Sequence, residues 1–154
     1  MKLMFDTNIV VDIISKREGY EDSLHLFKHC ELGNVSGFVS AITVTDVMYI
    51  LRKHISFKNP EDAGRSKVGS AAGKTDLVRE TVQTLLLIVD VANILKSDII
   101  SAFSSGVKDY EDAVQASCAG RMKADYIVTR NLKDFKESAV PAISPGKALQ
   151  IIGG

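Results

Sequence analysis

Four aspartates lie near the predicted ends of strands or starts of helices, the places where parallel α/β sheets bind their ligands. Asp6 closes the first strand-like run, and Asp46 falls in the first turn of the helix predicted after the second run. Asp112 lies near the start of a later helix, and Asp134 follows the exit of the fourth run. Carboxylates a few ångströms apart raise one another's pKa unless a cation neutralises their charge. We therefore expect these acids to form a cluster that binds a divalent metal ion.

The ligand types in this predicted cluster indicate which metal ion would bind. Oxygen ligands without histidine or cysteine select hard cations such as Mg²⁺ or Mn²⁺. A bound ion of this kind can activate a water molecule and hold a phosphodiester in line for attack. The four aspartates are therefore candidate catalytic residues of a phosphodiester hydrolase.

The elements that would position these acids alternate between short apolar runs and helical patterns, which is typical of an α/β fold. The continuous apolar run from residue 86 predicts a strand buried on both faces. Right-handed crossovers would place the strands in one parallel sheet. Strands are predicted over residues 2–5, 37–41, 86–91, 126–129 and 142–144. Helices are predicted over residues 7–16, 20–32, 43–53, 75–85, 92–103, 109–123 and 145–152.

Asp112 reaches the same sheet edge as Asp6 only if two helices occupy a single crossover. Its helix follows another predicted helix and a turn, rather than following a strand directly. The sequence permits this arrangement without requiring it.

The composition describes one ordinary domain covering residues 1–154. The chain has 154 residues and 45% hydrophobic content, which is enough to bury a core without disulfides or structural metals. With 19 basic against 19 acidic side chains, it lacks the excess positive charge that gives bulk affinity for nucleic acid. A nucleic-acid partner would therefore have to be bound locally.

Cysteine usage and hydropathy bear on the compartment. Cys30 and Cys118 show no metal-binding spacing and lie in apolar helical contexts, so both are expected to be reduced core thiols. No signal-peptide pattern opens the chain. The longest apolar stretch, residues 85–95, is interrupted by Asp90 and Asn93 and falls short of the roughly 20 residues of a membrane span. We expect a cytoplasmic protein that does not cross a membrane.

Four short blocks resemble, in this order, the sequence blocks of the PIN domain. They are residues 3–8 (LMFDTN), 40–46 (SAITVTD), 109–113 (DYEDA) and 126–135 (YIVTRNLKDF). The resemblance implies a three-layer α/β fold with a small central parallel sheet flanked by helices. It also implies a Mg²⁺- or Mn²⁺-dependent endoribonuclease that hydrolyses RNA, as in VapC-type toxins, with a cognate antitoxin protein as its partner.

Block matching also assigns roles to the acids. Asp6 and Asp112 would be the metal ligands, while Asp46 and Asp134 would complete or orient the shell of the ion. Asp46 stands where the family usually has glutamate, and Asn131 stands where it usually has an acid. These departures lower the reach and the charge of the site, and with them the expected affinity for a second metal ion. A one-metal or weak nuclease fits them, and so does a catalytically degenerate module that binds RNA or protein.

Polar residues beside the acids are expected to position substrate or water. A threonine hydroxyl can hydrogen-bond a metal-bound water, although such residues more often satisfy nearby backbone groups. The expected positioning residues are Thr7, Thr129, Arg130 and Asn131. Residues 57–74 are polar and glycine-rich, which predicts a loop or a weakly formed helical arm. Basic residues flanking this stretch are either phosphate contacts or merely solvated. They are Arg52, Lys53, Arg65, Lys67 and Lys74.

Several candidate residues have structural alternatives. Asp6 could simply cap the helix that follows it. Thr43 and Asp46 have the spacing of a capping box, with aspartate in place of the favoured glutamate or glutamine. Asp109 and Asp112 would gain from the helix macrodipole in a first helical turn.

Two further alternatives concern activity and assembly. A phosphoryl-transfer domain would use Asp6 as a nucleophile, but it would normally have a second acid two residues later, where this chain has Asn8. The helix at residues 75–85 has an apolar face with Leu77, Val78 and Val82. That face either packs against a second copy or a partner helix, consistent with the homodimer we expect, or belongs to the ordinary core.

Overall fold

Five short parallel strands form the centre of the structure, a computed structural model that describes residues 1–54 and 71–153. The strands are β1 (Lys2–Phe5), β2 (Ser36–Ser40), β3 (Asp90–Ala92), β4 (Tyr126–Val128) and β5 (Ala142–Ile143). The helices of the described residues are α1 (Thr7–Ser15), α2 (Tyr20–Glu31), α3 (Ala41–His54), α4 (Ala71–Leu85), α5 (Lys96–Phe103), α6 (Tyr110–Arg121) and α7 (Pro145–Gly153). The order across the sheet is β3-β2-β1-β4-β5, and all neighbouring strands are parallel.

The sheet separates two hydrophobic cores, because successive side chains of a strand point to opposite faces. Leu3 and Phe5 of β1 pack on one face with side chains from α1, α2, α3, α4 and α7. Met4 packs on the other face with side chains from α5 and α6. The predicted three-layer α/β fold with a central parallel sheet is therefore confirmed.

The crossover from β3 to β4 contains two helices, α5 and α6, which is the arrangement that Asp112 requires. An ion pair between a buried carboxylate and a partly exposed arginine joins these helices, with Arg121 Nη2 2.8 Å from Asp98 Oδ2. The start of α6 consequently lies near the end of β1, where the charges of Asp112 and Asp6 interact.

The predicted strand at residues 86–91 is wrong. Residues 86–89 form a turn after α4, and β3 begins only at Asp90. β3 is an edge strand on which Asp90 and Val91 are exposed, so it is not buried on both faces. An apolar run does not distinguish a buried strand from a turn that packs on the core, as this turn does through Val89.

Two predicted helix starts also shift. The helix predicted from residue 92 begins at Lys96, because the Asp98 carboxylate accepts a hydrogen bond of 2.8 Å from the Leu95 backbone N–H and fixes the N-terminus there. The helix predicted from residue 75 begins at Ala71. Most of the predicted glycine-rich stretch lies outside the described residues, together with Arg65, Lys67 and the side chain of Lys74.

The structure bears on the expected state of the two cysteines and on the expected absence of a membrane span. Cys30 and Cys118 are both buried and free of disulfides, as expected for core thiols. Within residues 1–54 and 71–153, no helix is long and apolar enough to span a membrane.

Gly37 in β2 lies where no larger side chain fits. A Cβ atom there would lie 2.5 Å from Cys30 Sγ and 2.7 Å from Phe5 Cε2. We expect Gly37→Ala to lower the free energy of unfolding by about 1–3 kcal/mol, because overpacking displaces core side chains. Gly120→Ala in α6 is the control, since its Cβ would meet only Val140 Cγ2, at 4.0 Å, and should stabilise by about 0.4–1 kcal/mol. Urea denaturation measures both, and a fully stable Gly37→Ala protein would contradict the packing argument.

Candidate active site

Asp6 directly follows the central strand β1 and is only 4% exposed. Its backbone N–H donates to the Val128 carbonyl at 3.0 Å, which continues the pairing of β1 with β4. Its carboxylate Oδ2 accepts hydrogen bonds from Thr129 Oγ1, at 2.7 Å, and from the Asn8 side-chain amide. Asp6 occupies the N-cap position of α1, but its side chain makes no capping hydrogen bond. The carboxylate is thus held by Thr129 and Asn8 rather than used as a helix cap.

Thr129, the first residue after β4, connects Asp6 to the loop that follows. Its buried hydroxyl accepts hydrogen bonds from the Asn8 amide at 3.0 Å and from the Asn131 backbone N–H at 2.9 Å. The Arg130 backbone N–H donates to Asn8 Oδ1 at 3.3 Å. Sequence reasoning gave Asn8 no role here, although its place two residues after Asp6 is the available signal.

Thr7 links α1 to the exit of β2. Its Oγ1 donates to Thr43 Oγ1 at 3.4 Å, and the Thr43 backbone N–H donates to Ser40 Oγ at 3.1 Å. Ser40 therefore caps α3, which begins at Ala41. The predicted capping box of Thr43 and Asp46 is wrong, and Asp46 lies in the second turn of the helix rather than the first.

The acids at the start of α6 take different roles. Asp109 caps the helix, since its Oδ1 accepts hydrogen bonds from the backbone N–H groups of Glu111 at 2.9 Å and Asp112 at 3.3 Å. Asp112 is partly buried and lines a cleft. Burial raises the pKa of Asp112 to about 7, and the charges of Asp6, Asp109 and Asp134 add to the shift. Three of the four predicted catalytic acids therefore lie close enough to interact.

Burial also raises the pKa of Asp6, and the charge of Asp134 adds to that shift. The Thr129 hydroxyl and the backbone amides of Thr7 and Asn8 oppose it, because they stabilise the ionised carboxylate. Asp134 itself is exposed, in the turns that follow β4. The hydrogen bonds to Asp6 oppose the effect of burial, but the pKa of Asp6 stays above its ordinary value.

Glu111 joins the acids, although sequence reasoning gave it no role. Burial raises the pKa of Glu111 to about 7, and the neighbouring carboxyl group of Asp46 adds to the shift. Gln115 Nε2, one turn along α6, donates to Glu111 Oε1 at 3.2 Å. Asp46 Oδ2 is buried and has no hydrogen-bond partner among the described residues. Asp46 therefore interacts with the other acids through Glu111. In the sequence, only the position of Glu111 next to Asp112 indicates a role in the site.

An open cleft of about 420 Å³ lies between α1 and α6. Of the predicted site residues, it is lined by Asp6, Thr7, Asp112 and Asn131. The predicted residues Asp46, Thr129, Arg130 and Asp134 lie outside its lining. Its other lining residues are Asn8, Val11, Arg17, Ile50, Asp109 and Glu111.

Of the predicted basic contacts that the structure describes, Arg52, Lys53 and Arg130 lie outside the lining of this cleft. Arg130 Nε is 2.5 Å from Asp12 Oδ2, a carboxylate that sequence reasoning had treated as solvated or structural and that is in fact buried. Arg52 and Lys53 line a separate surface pocket with Tyr49 on α3. Arg17, which sequence reasoning missed, is the one basic side chain that the described residues contribute to the cleft.

The donor atoms around the cleft fit a hard cation in their chemistry. They are carboxylate, amide and hydroxyl oxygens, which Mg²⁺ and Mn²⁺ prefer. Burial is the main cause of the raised pKa of Asp112, and a cation would relieve the repulsion from Asp6 that adds to it. Among the described residues, no three or more acids, histidines or cysteines converge closely enough to hold a metal ion. The fit is therefore to an ion held by two carboxylates that keeps several of its waters, as Mg²⁺ commonly does.

Comparison with known proteins bears on the family and the fold. The profile of the PIN domain matches residues 2–133, and no curated protein matches the chain. Three similar crystal structures have low sequence identity, so they support the fold alone. VapBC2 from Rickettsia felis bound to a DNA fragment from their promoter is 19% identical, with a TM-score of 0.64 over 94% of this chain and 98% of that chain. FitAcB from Neisseria gonorrhoeae is 17% identical, with a TM-score of 0.65 over 94% and 98%. VapBC-1 from nontypeable Haemophilus influenzae is 16% identical, with a TM-score of 0.61 over 95% and 99%.

Removing the Asp112 charge should stabilise the metal-free protein at high pH. The folded-state pKa of about 7 lies above the ordinary value of 3.8, so the folded state binds the proton more tightly and stability falls as pH rises from about 4 to about 7. Asp112→Asn abolishes this loss. Because solvent in the open cleft screens the repulsion, we expect a gain of about 1–2 kcal/mol at pH 8 in EDTA, less than the full shift would give.

Urea denaturation at pH 4 and pH 8 measures this effect, and the two proteins should be equally stable at pH 4. Glu80→Gln, at an exposed position in the middle of α4, is the control and should leave the pH dependence unchanged. A wild-type protein more stable than Asp112→Asn at pH 8 would contradict the expected repulsion.

Proposed function

The chain belongs to the PIN domain family, whose members are generally nucleases, and we propose that it is a divalent-metal-dependent endoribonuclease. One observation carries the proposal. Asp6, after β1, and Asp112, on α6, line the same cleft from separate elements and interact through their charges. Two carboxylates that repel each other in an open cleft cost stability, and a metal-dependent nuclease recovers that cost when it binds its cation.

In this proposal, Asp6 and Asp112 hold one Mg²⁺ or Mn²⁺ ion, and Asp46 and Asp134 complete or orient its shell. When bound, the ion supplies positive charge to the phosphodiester and lowers the pKa of a water molecule. Asp134 contributes through its charge, which reaches both Asp6 and Asp112. Asp46 contributes through its contact with Glu111.

The polar residues around these acids position carboxylate, water and loop. Thr129 fixes the Asp6 carboxylate through its hydrogen bond of 2.7 Å. Thr7 and Asn131 line the cleft, where their oxygen atoms are placed to orient water or substrate. Arg130 holds the loop after β4, through its backbone bond to Asn8 and its side-chain contact with a buried carboxylate.

Three lysines beside the acids support a polyanionic substrate. Together with Gly106, Asp134 and Glu137 they line a groove of about 300 Å³, in which the three lysines outnumber the two acids, and Asp134 also interacts with the acids of the cleft. The lysines are Lys108, Lys133 and Lys136. Backbone phosphates bound there would give the local hold on nucleic acid that a chain of zero net charge needs. We assign RNA as the substrate from the PIN resemblance, and DNA is the comparison substrate because VapBC2 is bound to a promoter fragment.

We also propose a cognate antitoxin protein as a partner and a homodimer as the assembly. The resemblance to VapC-type toxins and the similarity to the VapBC structures support an antitoxin. The helix face expected to form a dimer offers less support. Val78 and Val82 on α4 pack in the core of the chain itself, whereas Leu77 is 45% exposed.

A degenerate PIN-like module that binds RNA or protein is the second candidate function. Asp46 and Asn131 replace acids that the family usually has at these positions. The described residues also contain no group of three acids close enough to hold a metal ion. Both observations favour weak metal binding.

Loss of either metal-holding carboxylate should abolish RNA cleavage. We expect Asp6→Asn and Asp112→Asn to lower kcat/KM by about 100-fold or more, since charge stabilisation by a metal ion contributes several kcal/mol. Cleavage of an RNA panel and a matched DNA panel in Mg²⁺, Mn²⁺ or EDTA measures this. Asp22→Asn is the control for the preparation and should retain full activity.

Undiminished cleavage by Asp6→Asn would overturn the site assignment. If the wild type cleaves nothing, calorimetry with Mn²⁺ decides between the two candidate functions, because no heat at millimolar Mn²⁺ favours the binding module. Heat that disappears in Asp112→Asn, and that weakens below pH 7 as protons compete for Asp112, favours a metal site.

The lysine groove should control the salt dependence of RNA binding. We expect a variant with glutamine at Lys108, Lys133 and Lys136 to bind single-stranded RNA more weakly, with the slope of log K against log salt reduced by about 0.7 for each phosphate that is no longer neutralised. Fluorescence anisotropy over a salt series measures the slope. Glutamine at Lys28, Lys96 and Lys147, which are exposed outside the groove, is the control. An unchanged slope in the groove variant would exclude the groove as a phosphate site.

A further inference from the structure

Asp12 is a buried carboxylate to which the proposed chemistry gives no role. It lies on α1 and is 1% exposed. Two arginines approach it from different segments. Arg130 Nε, in the loop after β4, lies 2.5 Å from Oδ2, and Arg17 Nη1, just beyond α1, lies 3.7 Å from Oδ1. Burial raises the pKa of Asp12 and both arginines oppose that shift, so the ionised carboxylate depends on them.

The charges of this triad do not cancel. Arg130 makes the close contact with Asp12, and a separation of 3.7 Å is too long for a hydrogen bond from Arg17. Asp12 Oδ1 accordingly has no hydrogen-bond partner within the described part of the chain. One carboxylate thus faces two guanidinium groups, and a positive charge remains at Arg17.

Arg17 is placed to use that charge in the cleft. Its side chain is 43% exposed and lines the cleft with Asp6 and Asp112. Its backbone N–H donates to the Asp12 carbonyl at 3.1 Å, which fixes its position at the end of α1. No other basic side chain from residues 1–53 or 76–153 lines this cleft.

We propose that Arg17 binds a phosphate oxygen of the nucleic-acid substrate beside the Asp6–Asp112 pair, and that Asp12 is the residue that positions it. The planar guanidinium presents paired N–H donors that match a phosphate group. The proposal rests on the proposed nuclease function, since it takes the phosphodiester to lie in this cleft. It moves the substrate contact from Arg130, whose guanidinium Asp12 already holds, to Arg17.

A purely structural role for Arg17 makes a different prediction. If Arg17 only neutralised Asp12, its removal would lower thermal stability and leave RNA affinity unchanged. Arg17→Gln and Arg17→Lys separate the two roles, because lysine keeps the charge without the paired donors. Arg79→Gln is the matched control, since Arg79 is an exposed arginine that pairs with Asp76 on α4.

The test measures binding of a fluorescein-labelled single-stranded RNA in the Asp6→Asn background, which prevents cleavage, in Mg²⁺ over a salt series. We expect Arg17→Gln to raise Kd about ten-fold, as loss of one charged hydrogen bond does, and to lower the salt slope by about 0.7. Arg17→Lys should recover the slope and only part of the affinity. Arg79→Gln should match the background in Kd and slope. A lower Tm in Arg17→Gln with an unchanged Kd would assign Arg17 the purely structural role.

Asp12→Asn tests the positioning role through a double-mutant cycle with Arg17→Gln. If Asp12 acts through Arg17, the double variant binds RNA no more weakly than Arg17→Gln alone. Additive losses would assign Asp12 a separate role and overturn its part of the proposal. If Asp12→Asn does not fold, Arg130→Gln replaces it in the cycle, because it removes the close partner of Asp12 and should bring Arg17 onto that carboxylate and weaken RNA binding.

The outcomes also separate this inference from the nuclease proposal. Arg17→Gln that binds RNA with the Kd and slope of the background overturns the inference, whether or not the wild type cleaves RNA. If the wild type cleaves no RNA but Arg17→Gln loses RNA affinity as expected, the nuclease proposal is overturned and the phosphate site at Arg17 is retained. No RNA binding by the background protein overturns the phosphate site, and it overturns the nuclease as well when the wild type cleaves no RNA.

Discussion

Repulsion among carboxylates at the end of β1 is the constraint on which the arrangement of this molecule depends. Asp6 is only 4% exposed. The charge of Asp134 raises the pKa of Asp6, and the charge of Asp6 in turn raises the pKa of Asp112. Such a cluster would disperse unless the surrounding structure held it. The pairing of β1 with β4 places Thr129 against Asp6, and the ion pair between α5 and α6 fixes the crossover that delivers Asp112. The hydrogen bonds to Asp6 offset only part of the cost of burial, so the pKa of Asp6 stays above its ordinary value.

The sequence predicted the parts of this arrangement that local patterns determine. Strand ends and helix starts are set by short-range alternation and capping, so the place of Asp6 after β1 could be read directly. The sequence permitted the crossover through α5 and α6 without predicting it, since no local sequence pattern selects two helices between β3 and β4. Glu111 and Arg17 could not be found, because their role depends on where neighbouring helices place a side chain and not on their own surroundings. The edge position of β3 was missed for the same reason, since an apolar run does not state how many strands flank it.

Glu111 also bears on the two positions, Asp46 and Asn131, at which this chain departs from the usual PIN-domain residues. Asn131 removes one charge from the cleft, and Asp46 shortens the reach of another carboxylate. Glu111 lines the same cleft and contacts Asp46, so it adds a carboxylate near the place where one is weakened. The described lining of the cleft therefore holds four acidic side chains, Asp6, Asp109, Glu111 and Asp112, of which the last three lie at the start of α6.

The charge around the cleft sets the conditions under which a nucleic acid can approach it. The described lining includes four acids, Asp6, Asp109, Glu111 and Asp112, against Arg17, although the whole chain has zero net charge. A phosphodiester entering this field is repelled unless a cation has first reduced it. A cation that binds the folded state also stabilises it. The repulsion among the acids lowers the stability of the metal-free fold, and the same repulsion favours the binding of cations in the cleft. Substrate affinity must then come from the local basic groups beside the acids, where salt screens it strongly.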